Sequence, residues 1–184
     1  GFFGFDPAKK TILVVGGSLG ARTINQSIIA QLEQLSKADV QVIWQTGKFY
    51  IDAARKAAEP FASPRLLVTD FVSRMDLAYS IADLVVSRAG ASSISELCLL
   101  AKPAVLVPSP NVAEDHQTQN ALALVRKNAA VMIKDVDSVE QLVDKALELI
   151  NDADALNELS NNILKMAEKD SADRIAEEVI KLIN

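Results

Sequence analysis

Residues 87 to 96 read SRAGASSISE: a serine and an arginine leave an apolar run, small residues follow, and a glutamate closes the stretch. Gly90, Ala91 and Ser92 leave the first-turn amides of a following helix open, so that an anion such as a diphosphate can sit on them and meet the positive end of the helix dipole. If Ile94, Leu97, Cys98 and Ala101 form the buried stripe, Glu96 projects nearly opposite, where a carboxylate can accept two hydroxyl hydrogen bonds from a ribose. The same residues also spell Ser93-Ile94-Ser95-Glu96, a capping box in which the glutamate folds back onto its own helix start. The residues alone leave both readings open.

A second small-residue stretch, GGSLGAR at 16 to 22, invites the same chemistry. Gly17 lets a ligand approach the backbone closely and Ser18 offers a hydroxyl beside helix-start amides, or Ser18 is simply the N-cap of an ordinary strand-to-helix turn. It is not the dinucleotide fingerprint. Ser18 stands where G-x-G-x-x-G needs its second glycine, and Gln45 and Thr46 stand where an acid belongs after the second strand. Gly47-Lys48 is not a P-loop either, since Val42 replaces the first glycine and Phe49 follows the lysine. Arg88 could balance a phosphate charge or pair with a neighbouring acid.

The elements that must carry these residues follow from the hydrophobic pattern. Apolar, β-branched runs recur at 11–17, 40–46, 65–71, 83–87, 104–109 and 129–133, predicting six strands. Helical spacing lies between them, as in Ile24, Ile28, Leu32 and Leu35, or Leu122, Leu124 and Val125. Nearly continuous apolar strands joined by helical crossovers imply an α/β fold: a doubly wound, mostly parallel six-stranded sheet, Rossmann-like. Ligands of such sheets bind at the carboxyl ends of the strands, where the quoted stretches fall. From Ser138 to Asn184 the pattern is helical, with DSVE as a capping-box start. Trp44 and the lone Cys98 read as core residues.

A chain of 184 residues is one domain with a sizeable core. Nineteen basic against 24 acidic residues leave a charge of −5 with no basic run, which argues against a nucleic-acid partner. No apolar stretch reaches the roughly 20 residues that span a bilayer. Residues 1–10 form a lead-in segment ahead of the domain at 11–184. They hold Phe2, Phe3 and Phe5, three of the six phenylalanines. Either they pack on the domain's underside or the chain begins part-way through a longer protein; the second is expected here.

GGSLGAR, FVSRMDLAYSIADLVVSRAGASSISEL, KPAVLVPSP and EDHQTQNALAL, in this order, resemble the carboxyl-terminal domain of the MurG family of N-acetylglucosaminyltransferases. Those enzymes convert undecaprenyl-pyrophosphoryl-muramoyl-pentapeptide to the disaccharide lipid precursor of peptidoglycan. The resemblance implies one half of a GT-B glycosyltransferase, the half that holds UDP-N-acetylglucosamine. It implies that the segment at Phe71, Val72 and Met75 meets the uracil, that the loop at Ala91, Ser92 and Ser93 carries the phosphates, and that Glu96 holds the ribose. Ser18, beside Gly17, becomes a further phosphate or ribose contact, and Gln117, with His116 and Asn120, reaches the sugar. His116, the only histidine, is expected near the sugar and not as a base. One departure is Ala101, where glycine commonly precedes Lys-Pro.

The implied chemistry is inverting transfer, with the general base, the lipid acceptor site and the peripheral contact with the inner membrane's cytoplasmic face all in a domain absent from this chain. No catalytic residue, no metal site and no tightly bound cofactor is therefore expected here, beyond a divalent cation accompanying the diphosphate. The fragment alone is expected to be inactive. A UDP-N-acetylglucosamine 2-epimerase-like domain and a non-catalytic nucleotide-sugar-binding module are the alternatives.

Overall fold

The six apolar runs form six strands in the computed structural model, which describes residues 2–17, 19–110, 115–168, 176 and 179–181. They are β1 Thr11–Val15, β2 Gln41–Gln45, β3 Leu66–Thr69, β4 Leu84–Ser87, β5 Ala104–Leu106 and β6 Val131–Met132. All neighbours pair in parallel, in the order β3-β2-β1-β4-β5-β6. The strands are shorter than the apolar runs because Gly16 and Gly17 turn away after β1 and Pro108 cannot donate to a ladder after β5.

Helices cover the sheet, among the described residues α1 Arg22–Ala30, α2 Leu32–Lys37, α3 Ile51–Ala58, α4 Met75–Ile81, α5 Ala91–Leu99, α6 His116–Val125, α7 Ser138–Ile150 and α8 Ala153–Leu164. Alternate residues of each strand serve opposite faces. Ile12, Val14, Val42 and Trp44 pack with α1, α2, α3 and α7, while Leu13, Ile43, Val85 and Leu106 pack with α4, α5 and α6. The helix after β1 and the helix after β4 thus lie on opposite faces, and the strand order reverses between these two strands. That is the switch point at which an open α/β sheet has its crevice.

Two expectations need correction. The stripe Ile24, Ile28, Leu32 and Leu35 is buried, but on two helices, because Gln31 leaves helical geometry at φ −123, ψ 24. The capping box at DSVE does not form. A 3-10 turn at Asp135–Asp137 runs directly into α7, so Asp137 is already helical and makes no side-chain cap. Without an extended N-cap residue the side chain cannot reach the open amides. Ser138 Oγ instead donates to the Asp135 carbonyl at 2.8 Å.

The lead-in packs against the second core. Phe3 and Phe5 lie against that core and Phe2 meets Phe3 edge to face at 5.0 Å. Gln41 clamps the segment, accepting from the Asp6 amide at 2.7 Å and donating to its carbonyl at 3.0 Å. Between these phenylalanines and Leu77 and Ile81 of α4 lies a cavity of about 730 Å³.

Candidate functional site

The loops after β1 and β2 interlock through glycine. Gly20 and Gly47 have φ of +94 and +77, the left-handed region that favours a residue without Cβ. A Cβ on Gly47 would lie 2.2 Å from the Gly20 nitrogen, and one on Gly20 would lie 2.4 Å from the Tyr50 ring. Beneath them Asn25 takes the Trp44 indole N–H on Oδ1 (2.9 Å) and donates through Nδ2 to the Thr46 carbonyl (2.8 Å). The indole and the amide both find the partners that burial demands. Gly17 differs: its φ is +75, yet a Cβ there would meet nothing within 4 Å. Ser18 lies outside the described residues.

Above the carboxyl ends of β1, β4 and β5 opens a crevice of about 500 Å³, lined by Gly20 to Thr23, Arg88, Ser109, Gln117 and Asp135. Arg88 is fixed within it. One guanidinium nitrogen donates to the carbonyls of Val107 (3.0 Å) and Pro108 (3.2 Å) and to the Asp135 carboxylate. The other oxygen of Asp135 accepts from Thr23 Oγ1 at 2.8 Å. Arg88 therefore ties the ends of β4, β5 and β6 to the start of α1. Gln117 Oε1 accepts from the amides of Ser109 (2.9 Å) and Ala89 (3.3 Å), and Asn120 donates to the Ala89 carbonyl (3.1 Å). The two α6 amides thus brace the loops after β4 and β5. His116 sits exposed at the first residue of α6, behind Asp115, whose φ of +54 is unusual for a residue with a side chain.

On the other side of the switch point, α5 starts at Gly90 with no side-chain cap. Ala91, Ser92 and Ser93 occupy its first turn, where backbone amides have no partner within the helix. The helix begins two residues before Ser93, so Ser93 cannot be an N-cap and the capping box with Glu96 is not formed. Leu97 and Cys98 are buried and Glu96 is exposed, as the stripe predicts. The Glu96 carboxylate accepts from the Tyr79 hydroxyl on α4 at 3.1 Å. Burial, with the carboxylate beside it, holds the Tyr79 phenol far above its ordinary range. Phe71 is exposed, Val72 is buried and Met75 opens α4. Phe71 and Val72 line a separate hollow of about 290 Å³ with Phe2, Phe3 and Thr69.

The sequence-predicted residues thus fall along one rim in three groups: Arg88 and Gln117 in the crevice, Ala91 to Glu96 along α5, and Phe71, Val72 and Met75 beside α4. Asp135, Thr23 and Tyr79 were missed. Asp135 follows the sixth strand, and the strand-end rule that singled out the first five loops reaches it when applied once more. Tyr79 stands four residues after Met75 and so on the same helix face. Thr23 carries no signal beyond its place at a helix start.

The model of the glycosyltransferase family 28 C-terminal domain matches residues 11–175. A UDP-N-acetylglucosamine--N-acetylmuramyl-(pentapeptide) pyrophosphoryl-undecaprenol N-acetylglucosamine transferase of Parabacteroides distasonis is 61% identical over 183 residues, covering 100% of this chain and 50% of its own length. The crystal structure of Acinetobacter baumannii MurG superposes with a TM-score of 0.82 at 28% identity, over 94% of this chain and 50% of that one. A UDP-N-acetylglucosamine 2-epimerase structure shares the fold at TM-score 0.60 and 18% identity, over 94% of this chain and 43% of that one. The chain spans about half the length of the curated relatives it matches. It belongs to glycosyltransferase family 28, as the carboxyl-terminal domain of that family.

Proposed function

We propose that this chain is the donor-binding half of an inverting glycosyltransferase that moves N-acetylglucosamine from UDP-N-acetylglucosamine to a lipid-linked muramoyl-pentapeptide, in peptidoglycan synthesis. The observation that carries the reading is the pairing on α5: a helix start without a side-chain cap, and one turn further a carboxylate held off its own helix by Tyr79. The open amides of Ala91, Ser92 and Ser93 meet the diphosphate and stabilise the charge that grows on it as the sugar leaves. Glu96 accepts the ribose hydroxyls. The Phe71–Met75 segment receives the uracil, and Gly17 lets the phosphates approach the backbone after β1. His116, Gln117 and Asn120 border the sugar, and Arg88, paired with Asp135, sets the crevice floor. A divalent cation is at most an accessory to the diphosphate.

The acceptor, the general base and the contact with the cytoplasmic face of the bacterial inner membrane belong to the other half of such an enzyme. Among the described residues no helix is long and apolar enough to cross a membrane. Titration calorimetry tests the donor reading. The chain should prefer UDP-N-acetylglucosamine to UDP-glucose and to NAD, and should form no disaccharide when given donor and a soluble lipid acceptor analogue. Glu96→Ala should weaken UDP binding roughly tenfold, the scale of lost hydrogen bonds to a charged group, with a modest fall in melting temperature because the buried Tyr79 hydroxyl loses its acceptor. Tight NAD binding, or unaltered UDP affinity in Glu96→Ala, would overturn the reading.

A further inference from the structure

Glu96 sits exposed on α5, and a glutamate in that position ordinarily samples many rotamers, losing entropy when a ligand fixes it. Here one oxygen is already engaged. Oε2 accepts from Tyr79, a residue only 6% exposed that packs in the same core as Val72, Leu97 and Cys98. A tyrosine has two side-chain torsions, both fixed by that packing, so its hydroxyl is a rigid point of attachment set on a different helix. Oε1 has no hydrogen bond among the described residues and remains to accept from a ligand. Tyr79 also lies one helical turn after Met75, so the helix that opens at the base-binding segment is the one that anchors the carboxylate. Burial, with the carboxylate beside it, raises the phenol's pKa and so favours its protonated, donating form.

We infer that Tyr79 is a positioning residue for Glu96, pre-orienting its carboxylate so that it accepts the 2′- and 3′-hydroxyls of a uridine nucleotide's ribose; this rests on the donor-site reading above. It gives the site a way to discriminate among nucleotides by the sugar hydroxyls they carry, since a pre-oriented acceptor gains more from them than a mobile one.

The test compares UDP with 2′,3′-dideoxy-UDP by calorimetry on the chain as it is, on Tyr79→Phe and on Glu96→Ala. Both ligands are measured on each protein, so a general loss of stability cancels in the ratio. The unaltered chain should prefer UDP roughly tenfold, and Glu96→Ala should abolish that preference. Tyr79→Phe should cut the preference by roughly threefold to tenfold, through UDP alone, with dideoxy-UDP affinity unchanged. A preference lost in Glu96→Ala but intact in Tyr79→Phe overturns the positioning role and leaves the donor site standing. Equal weakening of both ligands in Tyr79→Phe overturns it too, showing a merely structural tyrosine. No preference in the unaltered chain, or a preference that survives Glu96→Ala, overturns the donor-site reading and this inference with it.

Discussion

At the amino-terminal rim of the sheet, side chains finish what the backbone leaves open. Asp83 takes the Thr11 amide at 2.8 Å and Lys10 at 2.9 Å, and Lys102 reaches the Ala82 carbonyl at 2.9 Å. α8, which starts where α7 has run back to that rim, is capped by Asp152, whose carboxylate accepts from the Ala155 amide at 2.9 Å. At the carboxyl rim the rule reverses: α1, α3, α4, α5, α6 and α7 all begin without a side-chain cap. Each such start forgoes about 1 kcal/mol. α2, which starts away from that rim, is also uncapped, so the cap on α8 is the exception among these helices, and the uncapped start of α5 leaves amides for a ligand to use. Of the rim's ion pairs, Arg88–Asp135 is enclosed within the crevice while Arg74–Asp76, at the start of α4, is exposed.

The largest test of that comparison lies in the glycines of the carboxyl rim, which serve two purposes. Gly47 and Gly20 press backbone on backbone, whereas Gly17 borders open space. Gly47→Ala must place a methyl 2.2 Å from a main-chain nitrogen that cannot move alone. The expected loss exceeds about 3 kcal/mol, up to failure to fold. Gly17→Ala bears only the left-handed strain, about 1–2 kcal/mol. Urea unfolding of both variants measures the gap. Equal losses would mean that Gly17 is as tightly built in as Gly47, and so not a place where a ligand approaches.

A smaller effect is expected where the rim's charges meet. The Arg88 and Asp135 side chains retain 19% and 16% of their exposure, so removing one partner strands a charge that is mostly buried. Complete burial would cost 3–5 kcal/mol on breaking such a pair. For Asp135→Asn, which keeps an acceptor for Thr23 and leaves Arg88 its two carbonyls, about 2 kcal/mol is expected. Screening weakens exposed pairs far more than buried ones. The deficit measured by chemical unfolding should therefore persist at 1 M salt, and a deficit that disappears there would place the pair on the open surface.

How much of this was legible in the sequence depends on the range of the physics involved. The six strands follow from local apolar runs, and the doubly wound order follows from alternation with helices, so the crevice could be placed before any coordinates. Glu96 was located on its helix face, but whether it caps its own helix was not, because that turns on whether the helix starts at Ala91 or after Ser93. Helix starts are set by the incoming chain, as the misplaced capping box at Asp137 also shows. Tyr79 and Asp135 act through partners 17 and 47 residues away in sequence, and no local pattern encodes such a pairing. Gln117 carried a chemical signal, an amide at a strand-end loop, while its use as a brace between two backbone amides emerged only with the loops in place.

The amino rim supplies the smallest effect and one of opposite sign. Ala101 ends α5 with φ +51. The Lys102 amide reaches back to the Leu97 carbonyl at 3.0 Å and the Ala101 amide to that of Cys98 at 3.2 Å. Those two bonds define a Schellman ending, whose left-handed position glycine fills without steric cost. Alanine there is strained, which gives a physical reason for the glycine that the family resemblance places ahead of Lys-Pro. Ala101→Gly should raise stability by about 1 kcal/mol, the left-handed strain relieved less the added freedom of the unfolded chain. Because α5 runs away from the crevice, this end lies a full helix length from the open amides at Ala91, and UDP affinity should not move. A stability gain with unchanged affinity assigns left-handed residues at this rim to chain geometry alone. A change in UDP binding would mean that the far end of α5 communicates with its ligand-facing start, and the division of labour between the rims would fail.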